Sequence, residues 1–370
     1  MGMSEQLKNL LALGEEFEAS DIHLMVGQRP RFRIRGSLVE KGGLSAYDMR
    51  AVDALVMELG LWTLPIGCPD GTEKVRLLLN REGALDGALT SPAGIRYRFN
   101  IFCESSRHAI ALRRLDSKFR SFSELGLPHR LEDFCSELNG LVVVTGATGS
   151  GKSTTLATVL DRINSTRNGH VITIEDPIEY VHRPARCFIS QRQVGRDARS
   201  FNAALIESLR QDPDVILVGE IRDLDTIRTA LRAAETGHLV FTTLHAGDCA
   251  GAVERLVSVF PSDEQNSIRR QLALVLRGIF AQRLLARQDG SGRCLACELL
   301  VNTPAVSNLI ATGRTPQLYS QIETGAAVGM KTMDQSLCAL FASGLIDERT
   351  ALANSKNPEQ LKERIRHAFR

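Results

Sequence analysis

Residues 146–153 read GATGSGKS, the spacing Gly-x-x-x-x-Gly-Lys-Ser of a phosphate-binding loop. Glycines at Gly146, Gly149 and Gly151 let the backbone curl so that successive N–H groups face inward on an anion. Ala147, Thr148 and Ser150 complete the curl, and the helix that follows adds the positive end of its dipole. Lys152 brings a full charge to the β- and γ-phosphates of a nucleotide, Ser153 offers a hydroxyl to Mg²⁺, and Thr154 stands beside them in the first helical turn. The flanks agree. An apolar run, 141–144, precedes the loop, and Leu156, Val159, Leu160 and Ile163 repeat at i, i+3, i+4, i+7 after it. The chemistry implied is ATP binding with Mg²⁺.

Hydrolysis needs a metal-associated carboxylate and a group that orients or deprotonates water. In open α/β sheets such groups sit beyond the C-terminal ends of the strands. The run 171–174 ends in Glu175 and Asp176, followed by Pro177 and Glu179, and the run VILVGE ends at Glu220. Glu220 is read as the base, on the expectation that its strand lies beside the loop strand. Gly219 occupies the place where many NTPases put a Mg²⁺-holding Asp, so Glu175 and Asp176 are expected to share the metal-water and polarising work. Glu175 would hold Mg²⁺ with Ser153, partly through water. Glu179 reads as structural. The run 239–241 is bracketed by His238 and His245, either of which is a candidate to touch the γ-phosphate. A second set of cations lies upstream. Arg96 and Arg98 alternate with Ile95, Tyr97, Phe99 and Ile101 on one strand, and Arg113 sits on its partner, 109–115. Guanidinium suits bidentate phosphate contact from a neighbouring domain or subunit; a solvated strand face is the alternative.

The elements that must position these groups fall into two textures. The first third reads as α+β: helices over 4–16 and 48–59, short strands over 31–34 and 37–39 with Gly36 at the turn, and a loop-rich stretch marked by Pro65, Gly67, Pro69 and Gly71. After a connection containing Gly126 and Pro128, four apolar runs (141–144, 171–174, 215–218 and 239–241) alternate with helical patterns, as in a doubly wound α/β sheet of parallel strands. The expected domains are 1–116, a linker 117–137, and 138–370. The 370 residues suit two domains. A hydrophobic fraction of 43% and a charged fraction of 24% suit a folded protein, and a net charge of +2 with 5% aromatics argues against nucleic acid as the working partner. The apolar stretch 272–286 is broken by Arg277 and Arg283 and reads as an amphipathic or core helix rather than a membrane span. Cys294 and Cys297 have no second pair to complete a zinc site and read as core residues of a strand. No signal peptide is apparent, so a cytoplasmic location is expected.

Several motifs together resemble the GspE/PulE superfamily of secretion ATPases, and within it the PilT-like pilus-retraction ATPases. They are ASDIHL, RYRFN, GATGSGKST, ITIEDPIEY, DPDVILVGEIRD and AAETGHLVFTTLHA. The resemblance implies a PAS-like N-terminal domain and a RecA-like ATPase domain joined by a flexible linker in a homohexamer. It implies that Glu220 is the catalytic glutamate, that Gly219 is normal for this motif, and that Arg96, Arg98 and Arg113 reach the nucleotide. Glu175, Glu179, His238 and His245 match its box residues. The partner implied is an inner-membrane platform protein of a pilus or secretion machine, which would bring the ATPase to the inner face of the cytoplasmic membrane. The four-Cys module of assembly ATPases is absent. A retraction stretch close to AIRNLI reads AVSNLI here, with Val306 and Ser307 replacing Ile and Arg, and residues 62–89 depart with more loop-like sequence. An accessory ATPase or, more remotely, a nucleic-acid translocase are the alternatives.

Overall fold

A computed structural model describes residues 2–34, 36–65, 67–115 and 118–368. The chain forms two compact units. The first is Met1–Lys118 with Glu175–His182 and Gln191–Ser200; the second is Phe119–Ile174, Arg183–Ser190 and Phe201–Arg370. The junction expected between 116 and 117 falls outside the described residues.

The first unit is built on a six-stranded antiparallel sheet: β1 (Asp21–Met25), β2 (Arg31–Ile34), β3 (Ser37–Glu40), β4 (Ala84–Thr90), β5 (Arg96–Glu104) and β6 (Arg107–Arg114), in the order β3-β2-β1-β6-β5-β4. Period-two alternation turns Ile22, Leu24, Phe99, Ile101, Ile110 and Leu112 into one core. Against it lie Leu7, Leu10 and Leu11 of the helix Glu5–Glu16, capped by Ser4, and Val52, Leu55, Val56 and Leu59 of the helix Met49–Leu61, capped by Asp48. The stretch expected to be loop-like holds a third helix, Gly71–Glu82, and then β4. Val75 and Leu79, four residues apart, are both buried and Leu78 packs beside them, so one apolar stripe docks the helix while Leu77 stays exposed.

The second sheet contains β7 (Gly140–Thr145), β8 (His170–Glu175), β9 (Phe188–Gln193), β10 (Val215–Val218), β11 (Leu239–Leu244), β12 (Leu276–Ala286) and β13 (Arg293–Val301), in the order β13-β12-β7-β11-β10-β8-β9. Strands β12, β7, β11, β10 and β8 run parallel, and every residue of β7, β10 and β11 is buried. This is the mixed α/β architecture expected, with two corrections. The stretch read as a helix over 272–286 splits: the helix Ser262–Val275 ends and β12 begins at Leu276. A strand buried on both faces has no alternation to distinguish it from a buried helix. The second correction concerns strand order: β11, not β10, lies beside the loop strand, so Glu220 does not close the neighbouring strand.

Candidate active site

The loop after β7 has the shape its glycines predict. Gly146, Gly149 and Gly151 have φ of 152°, 78° and 92°, the last two firmly in the left-handed region that favours glycine. At Gly146 a Cβ would stand 2.5 Å from the Gln282 carbonyl oxygen and 2.6 Å from Ser150 Oγ. Strand β12 therefore backs the loop directly, and Gln282 Nε2 donates to the Ser150 carbonyl at 2.7 Å. The helix Lys152–Thr166 starts with Gly151 as N-cap and no capping side chain, so its first amide donors are left for an anion. Ser150 Oγ is a buried hydroxyl with no partner among the described residues. Lys152 Nζ donates to the carbonyls of Gly146 and Ala147 at 2.8 and 3.1 Å, folding over the loop's open side. Left-handed glycines, an uncapped helix start and a lysine across the mouth together fit a polyphosphate. Ser153 is exposed in the first helical turn, where a hydroxyl can reach a metal on that phosphate.

The C-terminal ends of β10 and β11 bring two further groups to this edge. Glu220 follows β10, two strand spacings or about 10 Å across from β7. Its backbone is pinned from β11: Thr243 Oγ1 donates to the Gly219 carbonyl at 2.6 Å, and Ile221 N donates to the Thr243 carbonyl. His245, directly after β11, approaches Glu220 Oε1 through Nε2 at 3.3 Å, and Arg222 Nη2 donates to Glu220 Oε2 at 2.8 Å. Burial alone would raise the Glu220 carboxyl. The Arg222 hydrogen bond and charge, with the charges of His245 and Lys152, more than offset it and hold the group below the ordinary glutamate value. Glu220 is thus kept ionised, as a general base must be. Thr145, the last residue of β7, ties the phosphate loop to the histidine loop: its hydroxyl proton is shared between the Leu244 and Ala246 carbonyls, and its oxygen accepts from Ala246 N at 2.8 Å. Arg255 Nη1 holds the His245 carbonyl at 3.0 Å.

His238 is elsewhere. It precedes β11, whose six residues span about 20 Å, so the two histidines flanking this strand stand at opposite edges of the sheet. Its Nδ1 pairs with the Ala233 carbonyl at 3.0 Å, and its carbonyl accepts from Gly140 N. Of these two histidines, His245 is the one that shares an edge with the loop. Glu175 closes β8, on the far side of β10, and Glu175 Oε1 accepts from Gln191 Nε2. Asp176 follows it, exposed. Glu179 is half-buried in the same segment.

In the first unit the arginines differ from one another. Arg96, expected on a displayed face, is 8% exposed. Its Nε donates to the Ile178 carbonyl at 3.1 Å and Nη1 to Thr90 Oγ1 at 3.2 Å, and burial, with the charge of Arg196, depresses its pKa. The open face expected for it is covered by the segment Glu175–His182, which belongs to the same unit. Arg98 and Arg113 face each other across β5 and β6. Arg98 keeps a loose 3.7 Å pair with Asp86, whereas Arg113 Nε donates to Asp21 at 2.8 Å. Asp21, Thr145, Arg222, Arg255 and Gln282 were not singled out from sequence. The first two had a signal: a carboxylate at the head of ASDIHL, and a lone hydroxyl closing the run LVVVT before Gly146.

In the altered C-terminal stretch, Val306 is fully buried and Ser307 Oγ donates to the Ala273 carbonyl at 3.0 Å, so both replacements are part of the packing around the helix Pro304–Ala311. No helix among the described residues is long and apolar enough to cross a membrane.

Comparison with known proteins shows the family. The family model for type II/IV secretion system proteins matches residues 88–320. The type IV pilus retractation ATPase PilT of Pseudomonas aeruginosa is 40% identical over 95% of this chain and 99% of its own length. A twitching motility protein of Neisseria gonorrhoeae is 44% identical over 75% of this chain and 74% of its own. Among solved structures, the pilus retraction motor PilT with bound ADP superposes with a TM-score of 0.87 at 40% identity, covering 97% of this chain and 100% of that one. The ATPase DotB of Legionella pneumophila follows at 0.80 and 28% identity, covering 93% of both chains.

Proposed function

The chain belongs to the type II/IV secretion system protein family, and from that premise we propose that it is a Mg²⁺-dependent ATPase that works as a homohexameric motor for pilus retraction or a related pilus or secretion machine. The observation that carries the reading is the convergence of Lys152, Glu220 and His245 on the edge of the sheet that bears the phosphate loop. Lys152 and the loop amides bind the triphosphate, Glu220 takes the proton from water, and His245 reports the terminal phosphate to β11. Mg²⁺, held by Ser153 and through water by Glu175, would neutralise charge on the β- and γ-oxygens. Arg98 and Arg113 supply guanidinium to the terminal phosphate from the same or a neighbouring subunit, and Arg96 holds the segment carrying Glu175. Force passes to an inner-membrane platform protein, which holds the motor at the inner face of the cytoplasmic membrane. The packed Val306–Ser307 pair favours a second reading, an accessory ATPase of the same machine.

The test is phosphate release by the purified chain with ATP and Mg²⁺, alongside its mass by light scattering. The reading expects six-subunit particles and turnover that Lys152→Ala abolishes. Turnover equal to wild type in Lys152→Ala sinks the site. Loss of the gene with pilus retraction intact would favour the accessory reading.

A further inference from the structure

Of the two arginines that face each other across β5 and β6, Arg113 is the one whose Nε is bonded to a carboxylate. Asp21 opens β1, opposite Arg33 on β2 and Arg113 on β6, and Arg113 is in turn opposite Arg98 on β5. The Asp21 side chain is 11% exposed, whereas that of Arg113 is 71% exposed. Asp21 Oδ1 accepts from Arg113 Nε at 2.8 Å, and Oδ2 accepts from Ser20 Oγ at 2.8 Å with Arg33 Nε 3.6 Å away. The backbone locks the same corner, since Arg114 N donates to the Ser20 carbonyl at 2.8 Å. A bond through Nε restrains the guanidinium and leaves its two η nitrogens as a fork that can still donate to a phosphate. Among the described residues, Asp21 is the only hydrogen-bond partner of that group. Arg98 has no such clamp: its carboxylate neighbour Asp86 is half-exposed and 3.7 Å away.

We propose that Asp21 is a positioning residue for ATP hydrolysis: it fixes Arg113 through Nε so that both η nitrogens are presented to the terminal phosphate. The proposal rests on the reading that Arg113 serves the nucleotide. An arginine that meets charge developing in the transition state gains from being held beforehand, because no reorganisation is then needed at the moment of reaction. Burial raises the Asp21 carboxyl, but the bonds from Arg113 and Ser20 outweigh it and hold the group below the usual carboxylate value.

The experiment is a double-mutant cycle on the full-length chain, read as kcat and KM for ATP. Arg113→Ala alone tests the underlying reading: a kcat equal to wild type removes it, whatever Asp21 does. With that variant impaired, Asp21→Asn, which keeps the side chain's shape, is expected to lower kcat on the order of 10- to 100-fold with KM unchanged. The combined variant is expected to be no slower than Arg113→Ala. Ser20→Ala, which removes the other bond to Asp21 and leaves Arg113 clamped, is expected to keep kcat within about threefold of wild type. Multiplicative losses in the combined variant, wild-type kcat in Asp21→Asn, or an equal loss in Ser20→Ala would each overturn the proposal.

Discussion

Gln282 has no role in chemistry, yet replacing it with leucine should weaken nucleotide binding. Its side chain is 2% exposed, and Nε2 supplies a 2.7 Å bond to the Ser150 carbonyl, in the middle of the phosphate loop. Leucine fills nearly the same space and leaves that carbonyl buried without a donor, a cost of about 1–3 kcal/mol. The loop escapes the cost by turning the peptide toward water, which gives up the curl at Gly149 and Gly151. The opposing effect is local. Gln282 Oε1 has no partner among the described residues, so leucine also removes an unsatisfied acceptor. The two changes nearly cancel in folding stability, with a net shift below about 1 kcal/mol. They do not cancel in binding, where the curl must be rebuilt at about 1–2 kcal/mol, or roughly a 5- to 30-fold rise in Kd. Calorimetric titration with ADP and Mg²⁺, beside a thermal melt, separates the two. A Kd within twofold of wild type, or a large fall in Tm with Kd unchanged, would show that β12 does not hold the loop's shape.

Two other substitutions probe the electrostatics. Arg222→Gln removes the cation bonded to Glu220 Oε2, leaving His245 and Lys152 facing it. Burial then counts for more, the carboxyl titrates higher, and the acid limb of kcat/KM should move to higher pH while the alkaline side stays in place; an unmoved acid limb refutes the link. Lys356→Met strips the counter-charge from Asp248, 2.7 Å away, and from Glu298, which is 1% exposed. Because Lys356 is only half-buried, the loss should be about 2 kcal/mol by denaturant unfolding, below the ~3–5 kcal/mol of a fully buried pair. Burial raises the Asp248 carboxyl, but the bonds from Lys356 and the Gly251 amide outweigh it and lower the pKa. The wild-type contribution is therefore complete above the unfolded carboxyl's pKa and fades as pH falls through the lower folded value. In Lys356→Met that acid dependence should flatten, and an unchanged slope would assign the stability elsewhere.

Local features of the site were legible because they are local. The loop's glycines, the lysine after them, and the helix stripe of Leu156, Val159, Leu160 and Ile163 are written within some twenty consecutive residues. Buried parallel strands announce themselves as unbroken apolar runs. Strand order is not written locally. Placing β11 between β7 and β10 depends on pairings such as Thr243 with Val144, about a hundred residues apart, so the neighbour expected for Glu220 was wrong although its edge of the sheet was right. Alternation placed Arg96 opposite the apolar face, but it cannot say that a distant segment containing Ile178 covers that position. His238 and His245 looked equivalent as brackets of one run until the strand's length set them at opposite ends. Gln282 had no signal, because a polar residue inside an apolar run reads the same whether it faces solvent or props up a loop.

Glu220→Gln tests the central claim most directly, because it keeps the side chain's size and its acceptor toward Arg222 while removing its basicity. Single-turnover hydrolysis, measured with nucleotide affinity on the same sample, should show ATP bound within a few-fold of wild type and cleavage slowed on the order of 100-fold or more. Cleavage at the wild-type rate, with ATP bound normally, would mean that the carboxylate beyond β10 is not the base and that the chemistry on this edge of the sheet belongs to another group.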